Sequence, residues 1–301
     1  MSFVPTRAQI DAAFSPALYG MMLGLPLYGV ALAQAAFYYR TFPGDHKYWK
    51  ILVGVLIALD SMHIFSLTEG VHDWFLVQRL TTVLPRGALV ASFTTYIIET
   101  VVQCAYALRV WALSNKNRWL TGFVVAFACI QLAGGMGVSH GLAVAVSIDD
   151  VHSKTAKTYG AVQLVASVIC DVAISAAMVF LLNKNRNGIK RTESIIDRLI
   201  IYSVNVGLVT SVIAILNLVF WQATPQNFNF VIFHYIISKL YINSFLVTLN
   251  SRVAYRKTTD DVIQMSDMSR SYQYQAKHTR LKETCPFFNQ YLSINLATLR
   301  V

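Results

Sequence analysis

With 301 residues, 55% of them hydrophobic and only 13% charged, the chain falls well short of the roughly one-quarter charge of a soluble domain, which excludes an ordinary water-soluble fold. Its formal charge of +10 would suit nucleic acid, but Lys and Arg sit in short loops between apolar runs and not in a groove-like cluster, which excludes that partner. A disulfide framework is excluded as well, because Cys104, Cys129 and Cys170 fall in predicted helices and Cys285 in a polar tail.

A membrane-spanning helix needs about 20 mostly apolar residues, and seven stretches of the chain reach that length. Residues 1–16 are read as a short extracellular N-terminus. The apolar run that follows is too long for a signal-peptide core and is expected to stay as a helix. Helix 1 is predicted over about Ala17 to Tyr39, with Gly20-x-x-x-Gly24 as a close-packing signature and Pro26 as a kink. A polar loop from Arg40 to Lys50 turns at Pro43-Gly44. Helix 2 covers about Ile51 to Glu69 and helix 3 about Gly87 to Leu113. Helix 4, about Trp119 to Ser147, carries Gly134, Gly135, Gly137 and Gly141. No Lys-Ser/Thr follows them, so they are read as packing residues and not as a phosphate loop. Helix 5 covers about Tyr159 to Leu182, helix 6 about Leu199 to Gln222 and helix 7 about Phe230 to Leu249. The fold class is therefore all-α: a seven-helix transmembrane domain over residues 17–250. Residues 251–301 turn polar and are read as a flexible cytosolic tail that ends in a short apolar stretch, Cys285 to Leu299.

Basic residues set the expected orientation. The loops after helices 1, 3 and 5 hold Arg40, Lys47 and Lys50, then Arg109, Lys116 and Arg118, then Lys184, Arg186, Lys190, Arg191 and Arg198. Arg252, Arg256 and Lys257 follow helix 7. The opposite ends have only Arg7, Arg79, Arg86, Lys154 and Lys157. Positive charge stays in the cytosol, so the N-terminus is placed outside and the C-terminus inside. The expected location is an integral position in the plasma membrane and not in an internal one.

Four predicted spans carry an ionisable residue at mid-depth: Asp60, Glu99, Asp171 and Lys239. Each would cost on the order of 3 kcal/mol against lipid, so they are expected to face one another or a wet cavity. Helical spacing extends them into stripes. Helix 5 has Gln163, Ser167, Asp171 and Ser175; helix 3 has Thr95, Glu99, Gln103 and Tyr106; helix 7 has Tyr235, Lys239, Asn243 and Asn250; Asp60 and His63 are one turn apart on helix 2. Asn205 and Asn217 add polar groups to helix 6. The amides and hydroxyls are read as bonds between helices. One lysine cannot neutralise three carboxylates, so the rest must be protonated, paired with His63 or bound to a cation. A metal held by Asp60, His63 and a further acid would suit a membrane hydrolase of the ceramidase and progestin-receptor type. Helix 7 offers only His234, more than a turn from Lys239, so no metal is assigned. A retinal Schiff base on Lys239 lacks an acid one turn before it, where Tyr235 stands, so no cofactor is assigned either. Arg109 and Trp111 close helix 3 on the cytosolic side as a charge and an interfacial aromatic.

Several of these residues belong to motifs. Leu27-Tyr28-Gly29-Val30, Gln34 and Tyr38-Tyr39 are followed by Phe42-Pro43-Gly44-Asp45, Lys47, Lys50 and Val53, and then by Asp60, His63, Gln103, Arg109, Trp111 and Leu113-Ser114. Lys239-Leu240-Tyr241-Ile242-Asn243-Ser244 and Leu249-Asn250-Ser251-Arg252 complete the set. In these motifs the chain resembles a family of seven-pass membrane proteins of mushroom-forming fungi, described only as a domain of unknown function. The resemblance implies a seven-pass integral membrane protein, implies no activity, and puts Asp60, His63, Lys239, Asn243 and Arg252 on motif positions.

The expected function is receptor-like. A small ligand, proton or cation would bind in a polar cavity between helices 2, 3, 5 and 7, formed by Asp60, His63, Glu99, Gln103, Asp171, Lys239 and Asn243. Arg109, Trp111 and Arg252 would mark the face offered to a cytosolic protein partner. A transporter or channel using the acids as a relay is the second reading, a membrane-embedded hydrolase the third. No catalytic motif is evident, and the chain is not expected to be an enzyme.

Overall fold

The computed structural model describes residues 7–73, 85–145, 153–184, 190–223, 228–252, 268 and 270–275, apart from the side chains of residues 7–14, 190–199, 202, 203, 205 and 206. The chain divides into two units, Met1–Ser251 and Arg252–Val301. In the second unit residues 270–275 are helical. The rest of the predicted tail, including Cys285 to Leu299, lies outside the described residues, as do Arg79 and the side chains of Arg7 and Asn205.

The first unit is built from α1 (Arg7–Thr41), α2 (Lys47–His72), α3 (Arg86–Leu113), α4 (Arg118–Val144), α5 (Lys154–Lys184), α6 (Lys190–Ala223) and α7 (Phe230–Asn250), with no strand among the described residues. Among the described residues, six helices are long and apolar enough to cross a membrane: α1 from Ser15 onward, α2, α3, α4, α5 and α7. This marks the chain as an integral membrane protein of polytopic type. In α6 the part whose side chains are described without a break, Gly207–Ala223, is apolar. α1, α2, α5 and α6 begin several residues before the apolar windows read from sequence, α3 and α7 keep theirs within one residue, and α4 ends at Val144, short of the expected Ser147. Hydropathy locates the hydrocarbon slab, while the backbone ladder continues into the polar interface on either side. Outward faces carry large apolar side chains such as Phe65, Phe180 and Leu208, as contact with lipid requires.

Each helix packs on the next, and α7 returns to α1, so the bundle closes as a ring with α3 drawn inward against α2, α4, α5 and α7. The most apolar window of α3 is 56% buried and that of α1 only 22%, which separates a central from a peripheral helix. The glycines of α4 make this closeness feasible. A Cβ at Gly134 would lie 2.9 Å from the backbone nitrogen of Gln163, and one at Gly135 would lie 2.5–2.9 Å from the ring of Tyr96. Gly20 does the same for α1 on α7, where a Cβ would stand 3.2 Å from the Cα of Ile232.

Two connections are tightly specified by side chains. Between α1 and α2, the Tyr38 hydroxyl donates to Asp45 Oδ2 at 3.0 Å, the Tyr39 hydroxyl donates to the Lys50 carbonyl at 2.6 Å, and the Lys50 ammonium donates to the Pro43 carbonyl. Between α3 and α4, Asn115 and Lys116 adopt positive φ (53° and 63°), and Asn117 Oδ1 caps α4 by accepting from the amides of Trp119 and Leu120.

Candidate functional site

The buried polar side chains sort by their hydrogen bonds into three centres. The first joins α2 to α7. Lys239 Nζ forms an ion pair with Asp60 Oδ1 and lies 2.9 Å from His63 Nδ1, and all three residues are fully buried. The position of Lys239, one turn after Tyr235 on the α7 face that meets α1 and α2, brings its ammonium to both partners. Gly24 of α1 lies against its stem, where a Cβ would be 4.0 Å from Lys239 Cε. Asp60 Oδ2 and His63 Nε2 are buried without a hydrogen-bond partner. A charge pair in such a place contributes little net stability when closed but is costly to break.

The second centre lies between α3, α4 and α5. Glu99, 1% exposed, accepts on Oε2 from Gln131 Nε2 at 2.6 Å and from Gln163 Nε2 at 3.1 Å. The third joins α3, α5 and α7 around Asp171. Tyr241 donates its hydroxyl to Asp171 Oδ2 at 2.6 Å and lies 3.0 Å from Ser167 Oγ, while Gln103 Nε2 donates to Asp171 Oδ1 at 3.2 Å. Neutral amides and hydroxyls, each bonded across a helix interface, surround both carboxylates.

Asn243 does not reach any of these acids. Its amide donates to the Leu27 carbonyl at 2.9 Å and to the Lys239 carbonyl at 2.8 Å, and its oxygen accepts from Gln34 at 3.3 Å, so it clasps α1 to α7. Asn250 repeats the clasp by donating to the Gln34 carbonyl at 3.0 Å. Arg109 stands in an aromatic cage, its guanidinium carbon 5.7 Å from the Trp49 ring centre, 5.5 Å from that of Tyr106 and 5.4 Å from that of Phe245. Trp111 is half-buried, and its carbonyl accepts from the Lys116 amide in the α3–α4 turn. Arg252 belongs to the second unit.

A cavity of about 90 Å³ opens between one end of α3, α4, α5, α6 and α7. Its walls are mostly aromatic and aliphatic, with Tyr96, Trp221, Phe230 and Tyr235 prominent and Gln163, Asn217 and His234 as polar groups. Residues 167–254 match a family of unknown function (DUF6534). That stretch holds Asp171, Lys239, Tyr241 and Asn243, while Asp60, Glu99 and Gln103 fall before it. No curated protein and no solved structure matches the chain.

The expectation of a single cavity between helices 2, 3, 5 and 7 needs correction. Asp60, His63 and Lys239 form the first centre, Glu99 the second, and Gln103 with Asp171 the third; Asn243 joins none of them, and none of the seven lines the 90 Å³ cavity. Two contacts connect that cavity to the buried polar centres. Gln163 lines it and donates to Glu99, and Tyr235 lines it and stacks edge-on against His63 with ring centres 6.1 Å apart.

Spacing along one helix missed Tyr241, the residue that organises the Asp171 centre. It lies two positions from Lys239, about 200° around the helix, and therefore off the Lys239 stripe. α7 is buried on both sides and presents two polar faces where one was sought. His234, more than a turn from Lys239, stacks near Tyr96 with ring centres 5.4 Å apart and lines the cavity. Asp60 and His63 do not share a site open to a metal, because the Lys239 ammonium stands between them. Among the described residues no cluster of His, Cys, Asp and Glu suits a metal ion.

Proposed function

We propose that this is a seven-pass, receptor-like protein of the plasma membrane, with its N-terminus outside and its C-terminus in the cytosol. It binds a small, mostly apolar ligand carrying one hydrogen-bonding group in the cavity between α3 and α7. The carrying observation is the cavity itself. It has aromatic walls, a few convergent polar groups, and direct contact through Gln163 with Glu99 and through Tyr235 with His63. Its lining comes from the start of α3, the end of α4, the start of α5, the end of α6 and the start of α7. Under the positive-inside rule all of these lie on the extracellular side. α6 supports the seventh pass by its length, since 34 residues of helix extend about 50 Å and it packs between α5 and α7. Arg109 and Trp111 then fall at the cytosolic end, where a protein partner would read a change in α3.

Two experiments test this. A reporter fused after Arg252 is expected to read cytosolic, and a tail reached only from outside would overturn the orientation. For ligand binding, 2-phenylethanol is titrated onto the purified protein in detergent while its melting temperature is followed. A saturable rise is expected in the parent and not in Ala88→Trp, which fills the cavity from a half-exposed lining position. Equal responses in both, or none in the parent, would count against the cavity as the binding site.

A transporter or channel is the second reading, supported by the succession Gln163, Ser167 and Asp171 along one face of α5, which links the cavity to the Asp171 centre. We assign no catalytic activity. A hydrolase is the least supported reading, because Lys239 takes the place between Asp60 and His63.

A further inference from the structure

We infer that Asp171 holds a monovalent alkali cation, sodium by size, at a site separate from the ligand cavity. The charge pattern comes first. Lys239 is taken by Asp60 and His63, so the basic residue at mid-depth does not serve Asp171. Asp171 is 4% exposed, and both of its oxygens accept: Oδ2 from the Tyr241 hydroxyl at 2.6 Å and Oδ1 from Gln103 Nε2 at 3.2 Å. Donors on both oxygens suit an ionised carboxylate, which accepts at each of them. An ionised carboxylate at that depth needs a compensating charge.

The space comes second. A void of about 20 Å³ adjoins Asp171, more than the ~10–15 Å³ that one water-sized species requires. Asp171, Ser175, Thr210, Tyr106 and Tyr241 contribute oxygen-bearing side chains to its wall, and Gly207, Ile174 and Met178 complete it. The glycine matters, because a Cβ at that position would run into Ser175 Oγ. Oxygen ligands without imidazole or thiolate select a hard cation. With one carboxylate present, a monovalent ion leaves the site neutral, while a divalent ion would leave a net positive charge in the interior of the bundle. The small void favours sodium over the larger potassium.

The full-length protein in detergent is melted in sodium chloride and in choline chloride at equal ionic strength. The parent is expected to melt higher in sodium, with a rise that saturates. Glu99→Gln, which alters the other unpaired acid, should keep that response, and Asp171→Asn should lose it. Should Asp171→Asn fail to fold, Thr210→Val keeps the carboxylate and removes one oxygen ligand. It is expected to raise the half-saturating sodium concentration by about tenfold, the weight of one such ligand. Equal melting of the parent in the two salts would overturn the site. So would an undiminished sodium response in Asp171→Asn, or an unchanged half-saturation in Thr210→Val, each of which marks a general salt effect. None of these outcomes depends on whether 2-phenylethanol binds the outer cavity.

Discussion

Replacing Lys239 with methionine removes the positive member of a pair in which neither residue has any exposure. Methionine matches the lysine stem in length, so the packing against Gly24 is largely kept and the change is chiefly one of charge and hydrogen bonding. Asp60 Oδ1 loses its ion-pair partner, His63 Nδ1 loses the ammonium at 2.9 Å, and Asp60 Oδ2 has no partner to begin with. Breaking a buried pair from one side costs about 3–5 kcal/mol, because the remaining charge is left uncompensated. At about 2–4 °C per kcal/mol for a chain of this size, the melting temperature should fall by roughly 6–20 °C. The assay is thermal unfolding in detergent, followed by intrinsic fluorescence. Asp60→Leu combined with Lys239→Met supplies the control, since two apolar residues in place of a buried pair are neutral or stabilising by about 1–4 kcal/mol. The double variant is therefore expected to melt well above Lys239→Met alone. A single variant within about 1 kcal/mol of the parent, or a double variant no better than the single, would show that the pair is not the closed contact described.

Tyr241→Phe removes the donor to Asp171 Oδ2 without changing the ring. It should cost about 1.5–3 kcal/mol, the range for a hydrogen bond to a charged group, and equal stability in a denaturant titration would refute the bond. Gly135→Ala should lower stability by about 1–3 kcal/mol, because its methyl would press on the Tyr96 ring. Gly24→Ala meets nothing closer than 4.0 Å and should be neutral or raise stability by up to about 1 kcal/mol; the reverse order of melting temperatures would contradict the packing. Arg109→Ala should lose about 1–3 kcal/mol through its three ring contacts, and Arg109→Lys, which keeps the charge but not the planar stack, should recover only part of it.

Membrane character, the helical class and most helix positions could be read directly from the chain. Hydropathy and length are local quantities, and a bilayer admits few structures other than helices of that length. The stripes on helices 3 and 5 were equally legible: Thr95, Glu99, Gln103 and Tyr106 are all buried, as are Gln163, Ser167 and Asp171, because a helix with one lipid-facing side must turn its polar side inward. The Gly20 and Gly134–Gly135 contacts also follow from small residues at helical spacing. Charge arithmetic showed that one lysine could not serve three acids. Which acid Lys239 takes depends on how α2 and α7 are rotated and how deep each sits, and these are properties of packing between helices 179 residues apart along the chain. The same holds for Tyr241, whose role appears only when α3, α5 and α7 meet around it, and for the cavity, whose lining residues come from five helices and share no motif. Periodicity identifies the face of a helix. Partners are decided by which faces meet, and that is settled only when the bundle closes.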